Sequence, residues 1–189
     1  FFNSILYLHT QPPLFNIFRG LVFNIVPGDA AAAFHAVYVV LGIILSVILF
    51  SLMRLFGVQG KISTMLTIFF IISPACVFFE NVLFYPYIVA VTLCAASLAL
   101  FLYIRDDRTV YAAVFFFLLS ILVLTRSIFH IGWFLVCAVI LFMLRRNEWK
   151  KLTAAAAIPF LLVMALFIKN AVLFGSFSSS SWSGMSMAK

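Results

Sequence analysis

Charged side chains are scarce in this sequence. Lysine and arginine together number 12 and aspartate and glutamate number 5, so 9% of the 189 residues carry a charge, against about 25% in soluble domains. Hydrophobic residues make up 66% of the chain, and the mean hydropathy is +1.24. Because a soluble domain of this length needs far more polar surface, the composition excludes that class and indicates an integral membrane protein.

Metal-binding and nucleophilic motifs are also lacking. The three cysteines lie within or beside apolar runs and form no CxxC pair, so we interpret them as small buried hydrophobic residues. His9, His35 and His130 share no metal-binding spacing, and no phosphate-binding glycine loop or nucleophile elbow is present. The sequence therefore gives no support for a nucleotide-driven pump.

The basic residues exceed the acidic ones and give a net charge of +7. A single basic patch of that size would suit nucleic acid. The lysines and arginines stand instead in small clusters between apolar runs, which is how membrane proteins fix their orientation. We therefore expect the lipid bilayer, and no nucleic acid, as a partner.

An amphipathic segment precedes the apolar runs. Residues 11–26 are too short and too polar to span a membrane. Leu14, Phe18 and Leu21 recur at helical spacing opposite asparagine and arginine, and Pro12-Pro13 suits a helix start. This pattern predicts a helix lying in the membrane interface.

Six apolar runs follow, and a spanning helix needs about 20 such residues. Asp29 stands where it can cap the first of them. The sequence predicts an all-α polytopic membrane bundle of about six transmembrane helices plus the N-terminal interfacial helix. The runs are 30–53, 62–79, 86–104, 109–125, 128–144 and 152–168, with an extension of the last to 174 as an alternative.

We expect a single membrane domain over residues 1–189. The transmembrane bundle would occupy 30–174, and the serine-rich residues 175–189 would form an external loop. The chain begins at Phe1 rather than at a methionine and stops just after the serine-rich stretch. We therefore expect it to be a fragment of a longer protein.

The basic residues predict which side of the membrane each turn faces. If each run crosses once, alternate turns share a side, and eight of the twelve basic residues fall on the same one. The positive-inside rule makes that side cytoplasmic. These eight are Arg54, Lys61, Arg105, Arg108, Arg145, Arg146, Lys150 and Lys151.

The opposite, external side then collects most of the remaining polar residues. Chemistry is therefore expected outside the cell, at the periplasmic or lumenal face of what we expect to be a bacterial plasma membrane. The residues on this side are His9, Gln11, Glu80, Asn81, Tyr85, Arg126, His130, Lys169, Asn170, Trp182 and Lys189.

Arg126 lies between two apolar runs with almost no loop, and His130 lies at the start of the second run. If the helix continued, His130 would follow one turn after Arg126 on the same face. An arginine there could bind a phosphate through two hydrogen bonds, or its side chain could extend to the lipid headgroups. His130 could assist in binding or could be an ordinary packing residue.

For three further side chains on this side, both a functional and a purely structural role are open. Lys169 could neutralise an anionic headgroup or only extend to the interface. Glu80, in an external loop, could ligate a divalent metal or position an acceptor hydroxyl, or it could cap a helix or pair with Arg126. Trp182 lies in a serine-rich tail that is either a flexible linker or a loop folding over the site, with Trp182 against a sugar or lipid.

The HTQPPL motif at 9–14, which opens the interfacial helix, resembles the His-x-Pro-Pro-Leu element of protein O-mannosyltransferases and aminoarabinose-transferase-like enzymes. These enzymes belong to the glycosyltransferase C superfamily. The order of an interfacial helix, a long span, a short turn and further spans also resembles their common module and covers nearly the whole chain. The motif departs from the family pattern, with two residues between His9 and Pro12.

The resemblance implies that a sugar moves from a polyprenyl-phosphate carrier to an acceptor hydroxyl on a glycan, lipid or protein. A carboxylate acts as general base, the anomeric carbon inverts, and basic residues stabilise the leaving phosphate. Glu80 would match the acidic residue of the second external loop. Arg126 and Lys169 would match the phosphate site by location, and His9 and Gln11 would border the acceptor or carrier groove.

The principal carboxylate of such enzymes follows a first transmembrane helix that would lie upstream of Phe1. We therefore expect this fragment alone to be inactive. The alternatives are a transporter or lipid flippase and a non-catalytic scaffold. The absence of central charges in the spans disfavours ion-coupled transport. The main polar groups at the middle of the spans are hydroxyls, which can bond to their own helix backbones. These hydroxyls belong to Ser46, Thr67, Thr92, Ser97 and Ser120.

Overall fold

The computed structural model describes residues 7–26 and 28–180, and every regular element among them is a helix. The α-helices, in chain order, are α1 (Leu14–Ile25), α2 (Ala30–Leu55), α3 (Gly60–Ile71), α4 (Pro74–Val82), α5 (Tyr85–Asp106), α6 (Thr109–Thr125), α7 (Ile131–Leu144) and α8 (Trp149–Phe174). A short 3₁₀ turn, Arg146–Glu148, joins α7 to α8. The all-α prediction is confirmed for this part of the chain.

Three helical stretches are long and apolar enough to cross a membrane: α2, α5 and Arg146–Phe174, which includes α8. The bent pair α3 and α4 makes a fourth if it is one span. These helices are consistent with an integral membrane protein. The helices α6 and α7 are apolar but have 17 and 14 residues, which is about 26 and 21 Å of helix, short of a hydrocarbon core of about 30 Å. The expectation of six spans therefore stays a prediction.

The apolar run 62–79 is divided into two helices that meet at 53°. Ser73 is extended (φ −61°, ψ 142°), and its Oγ accepts a hydrogen bond from the Cys76 amide at 3.4 Å. The cause is Pro74, because a proline disfavours helical geometry at the preceding residue and suits the first turn of a new helix. Glu80, which we placed in an external loop, lies in α4 as a consequence, so that prediction is wrong.

Other local predictions are confirmed. Asp29 caps α2, since its carboxylate accepts a hydrogen bond from the Ala32 amide at 3.1 Å. The last helix extends to Phe174. Each of the five hydroxyls singled out near the middle of the runs bonds to a carbonyl of its own helix: those of Ser46, Thr67, Thr92, Ser97 and Ser120.

The chain divides into two compact units. In the first unit, which contains residues 7–20 and 99–180, α6 packs along α8. Phe116, Leu119 and Phe167 are fully buried there. In the second unit, residues 21–98, α2 packs against α3 and α4, and Tyr38 is fully buried.

Candidate functional site

The N-terminal segment contacts the end of α8 in the first unit. The ammonium of Lys169 donates a hydrogen bond to the Leu8 carbonyl at 2.8 Å, and its Nζ lies 5.9 Å from the centroid of the Phe174 ring. The His9 ring stacks on the same ring, with centroids 4.4 Å apart. His9 and Lys169 are 160 residues apart in the sequence. The fold brings both of them next to the ring of Phe174.

Residues 175–180 fold back over the same helix end. Gly175 ends α8 in the left-handed conformation (φ 66°), which glycine adopts without strain. The Asn170 amide group donates to the Ser178 carbonyl at 2.7 Å, and the Ser180 hydroxyl donates to the Thr10 carbonyl. The segment preceding α1 and the segment following α8 are thus tied together at one place. Trp182, the remaining candidate in this tail, lies outside the described residues.

Two buried polar atoms at this helix end have no hydrogen-bond partner among the described residues: Asn170 Oδ1 and Ser179 Oγ. The exposed fractions of their side chains are 2% and 0%. Leaving such a group unsatisfied costs about 1–3 kcal/mol. We named Asn170 as an external residue but gave it no role, and the serine repeat gave no signal for Ser179.

Arg126 and His130 do not lie on a common helical face, so that prediction is wrong. Arg126 is extended at the end of α6 (φ −143°, ψ 133°), and a turn closes with the Phe129 amide donating to the Arg126 carbonyl at 3.1 Å. The helix ends where the polar residues Thr125-Arg126-Ser127 separate two apolar runs, and the chain forms a turn there.

His130 caps the next helix and packs against α8. Its Nδ1 accepts a hydrogen bond from the Gly132 amide at 3.2 Å, and its ring meets the Phe167 ring edge-to-face with centroids 5.3 Å apart. Phe177 of the folded tail contacts the same Phe167 ring, also at 5.3 Å. His130 therefore contacts the end of α8 through Phe167. This is the packing role that the sequence analysis gave as one of two possibilities for His130.

Gln11 is exposed in the segment that leads into α1. It directly follows Thr10, whose carbonyl accepts the bond from Ser180. His9, Gln11, His130 and Lys169 thus lie on or next to the elements that meet at the end of α8, all within the first unit.

Glu80 belongs to the second unit, where it lies beside α2. A Cβ placed on Gly42 would be 2.9 Å from the Tyr87 hydroxyl and 3.7 Å from Glu80 Oε1, so the absence of a side chain at Gly42 gives both groups their room. The Cys76 thiol lies 4.0 Å from the Tyr87 hydroxyl, and the Tyr87 ring stacks on Tyr38 at 5.8 Å. Sequence reasoning missed Tyr87 and Gly42, since neither forms a recognisable motif with Glu80.

An apolar cavity of about 230 Å³ adjoins this cluster at the junction of α3 and α4, with Ser73, Cys76 and Tyr87 in its wall. Within residues 7–26 and 28–180, no group of three or more His, Cys, Asp or Glu side chains is placed to hold a metal ion. Glu80 would therefore have to bind a divalent metal without such a group around it. Its carboxylate makes no ion pair in the described part of the chain.

The end of α8 in the first unit thus carries one ammonium and one imidazole, and the second unit by itself carries the Glu80 carboxylate. Comparison with known proteins adds nothing to this geometry. No family model matches the chain, and neither a curated protein nor a solved structure is significantly similar to it.

Proposed function

We propose that the chain is part of an integral membrane glycosyltransferase of the glycosyltransferase C type, which moves a sugar from a polyprenyl-phosphate carrier to an acceptor hydroxyl. The observation that carries this proposal is the contact between the N-terminal segment and the end of α8, where Lys169 donates to the Leu8 carbonyl, just before the motif, and His9 stacks on Phe174. Both were expected at the carrier site, and they meet although nothing in local sequence joins them. The proposal includes six spans, an interfacial α1 and a site on the external face.

The end of α8 has the donors that a phosphate group needs. A lysine ammonium has three N–H donors, and the Leu8 carbonyl takes only one from Lys169. A phosphate beside Phe174 would receive the remaining ammonium donors and a bond from the His9 ring. Lys169 is partly buried, and a charge-assisted hydrogen bond is stronger where water is partly excluded.

The proposed reaction is a displacement at the anomeric carbon. A carboxylate removes the proton of the acceptor hydroxyl, whose oxygen then forms a bond to that carbon. The bond from the carbon to the phosphate oxygen breaks, and the carrier phosphate leaves with the electron pair, stabilised by Lys169 and Arg126. Glu80 is the carboxylate of this chain that we assign as the base.

The test is transfer of radiolabelled sugar from a polyprenyl-phosphate donor by the full-length protein in lipid nanodiscs. Lys169→Ala and His9→Phe should each lower kcat/KM about tenfold or more, because each removes a charge-assisted hydrogen bond worth about 1.5–3 kcal/mol to the transition state. Phenylalanine at 9 keeps the stack on Phe174, so it separates binding from packing. Lys61→Ala, an exposed lysine of the second unit, is the matched control. Unchanged transfer in both variants would remove the carrier site from this helix end.

A lipid flippase or transporter remains the second candidate, and one observation favours it. The pair α3 and α4 is broken at Ser73 with a bend of 53° and adjoins an apolar cavity, and transporters commonly build their sites from discontinuous helices. Movement of a fluorescent polyprenyl phosphate across a proteoliposome membrane, without sugar transfer, would favour this function. Transfer without movement would exclude it.

A further inference from the structure

Two grooves meet in the first unit where α7 ends and α8 begins. One, of about 370 Å³, is mostly polar and lined by the ends of α5 and α7 and by the Arg146–Glu148 turn. The other, of about 400 Å³, runs along α7 past Val139, Phe142 and Met143. Met143 and Arg146 belong to both grooves. Each volume lies in the range of about 300–1,000 Å³ that is typical of ligand clefts.

Most charges of the polar groove are already paired. Arg145 donates to the Ile104 carbonyl at 2.6 Å, lies 3.5 Å from the Asp107 carboxylate and stands over the Tyr103 ring at 5.9 Å. Glu148 accepts hydrogen bonds from Lys151 and from the Tyr103 hydroxyl, both at 3.2 Å. These contacts connect the turn after α5 with the turn after α7. The charges of the residues that make them cancel.

Arg146 is different from its neighbour. Its side chain is exposed and forms no ion pair or hydrogen bond among the residues that the structure describes. It begins the 3₁₀ turn at the junction of the two grooves. A guanidinium has five N–H donors in a planar arrangement that binds a phosphate through two parallel hydrogen bonds, so Arg146 is the group in this junction able to accept an anion.

The groove along α7 is apolar and open. Val139 and Met143 are 54% and 76% exposed, and in a membrane such a surface is covered by acyl chains. One turn beyond Arg146, the Trp149 ring is 56% exposed with the Lys150 ammonium 5.7 Å from its centroid. Tryptophan and lysine at a helix end are typical of the headgroup level of a bilayer.

We propose that this junction binds one phospholipid with an anionic headgroup. The phosphate lies on the guanidinium of Arg146, and one acyl chain follows the groove past Val139, Phe142 and Met143. A phospholipid has an anionic headgroup joined to apolar chains, and this site has a cationic group joined to an apolar groove. The apolar groove covers about one helical turn, from 139 to 143, which is too short to seat a partner helix. The site is separate from the end of α8 and does not depend on the proposed transferase activity.

The test measures lipid binding to the purified protein by native mass spectrometry in detergent. Phosphatidylglycerol is titrated in one series, phosphatidylcholine in a second and inorganic phosphate in a third. Wild-type protein should retain one phosphatidylglycerol more tightly than phosphatidylcholine. Arg146→Gln should weaken that binding about fivefold, which is the contribution of one basic residue at an anionic surface. Lys61→Gln, an exposed basic residue outside the grooves, should leave it unchanged.

The results separate the proposal from its competitors. Equal retention of the two lipids, or equal loss in Arg146→Gln and Lys61→Gln, would overturn the site. Displacement of phosphatidylglycerol by millimolar inorganic phosphate would show a simple anion site instead of a lipid site. Thermal unfolding in lipid-free detergent should be the same for both variants, and a lower Tm for Arg146→Gln would assign the residue to folding.

Discussion

The helices α6 and α3 belong to different units and are both strongly apolar, yet they bury opposite kinds of residue. On α6, the buried residues are mainly large, and Phe116, Leu119 and Leu122 are 0% exposed. On α3, the buried residues are Ser63 and Thr67, while Phe69 is 74% exposed. A high apolar content therefore does not tell which side of an apolar helix faces its neighbours.

The difference follows from what a membrane helix gains by packing. Lipid tails solvate large apolar side chains as well as a protein core does, so small and hydroxyl-bearing residues often mark the face where two helices approach closely. The hydroxyl of Thr67 is satisfied within its helix by the Ser63 carbonyl at 2.8 Å, so burying it costs little. In the first unit, by contrast, interlocked aromatic and aliphatic side chains supply many dispersion contacts.

The largest expected effect separates these two kinds of packing. Phe116→Ala should lower the free energy of unfolding by about 3–5 kcal/mol, because it leaves a cavity in the core where the ring lies 5.5 Å from Phe115 and 5.8 Å from Phe134. Phe69→Ala, the same substitution on α3, should change it by no more than about 0.5 kcal/mol. Unfolding of both variants by titration with a denaturing detergent checks this. Similar losses would mean that the outward face of α3 is packed against protein rather than lipid.

A smaller effect is expected from glycine replacement in the two units. Gly42→Ala should cost about 1–3 kcal/mol, since the new methyl would lie 2.9 Å from the Tyr87 hydroxyl and overpacking costs that much. In Gly132→Ala, the nearest atom is His130 Nδ1 at 3.6 Å, an ordinary contact, so no loss is expected.

The double variant Gly42→Ala/Tyr87→Phe identifies the cause of that loss, because it removes the atom that the methyl would meet. It should recover most of the stability lost in Gly42→Ala. If Gly42→Ala is as mild as Gly132→Ala, then Tyr87 can move away freely and the Glu80 cluster has no fixed geometry.

Sequence reasoning succeeded where the determinants are local. The cap by Asp29, the end of the last helix and the hydroxyl bonds within helices all depend on residues no more than four or five positions apart. The break at Ser73 was also local, because a serine followed by Pro74 is a strong helix boundary, and it was missed within a run of apolar residues. The prediction that His130 shares a helical face with Arg126 failed for a similar reason, because the helix ends at Thr125.

The sequence predicted which residues belong to the candidate site but not how they contact each other. His9 and Lys169 were expected on the same side of the membrane. Their meeting at Phe174 and the tie between Ser180 and Thr10 join residues about 160 or more positions apart. No periodicity reports such contacts, because they depend on how whole helices are arranged. Tyr87 and Glu80 likewise both lie next to Gly42 of α2, about 40 positions away in the sequence, and no periodicity reports that contact.

The smallest expected effect concerns the break that distinguishes the second unit. Ser73→Ala should cost about 1 kcal/mol, the usual loss for a helix cap, because the Cys76 amide loses its side-chain acceptor. Ser120→Ala in the first unit should cost less than about 0.5 kcal/mol, since its hydroxyl bonds only to a carbonyl of its own helix, at 2.7 Å. Unfolding titrations of the two variants under identical conditions check the difference.

Removing the proline should act on shape more than on stability. Without Pro74, Ser73 regains access to helical geometry, so Pro74→Ala should straighten the 53° bend and lengthen the distance between spin labels at Lys61 and Val82, both exposed. An unchanged distance would mean that packing against α2 imposes the bend. The bend would then be a property of the whole second unit, originating in tertiary structure instead of in one residue.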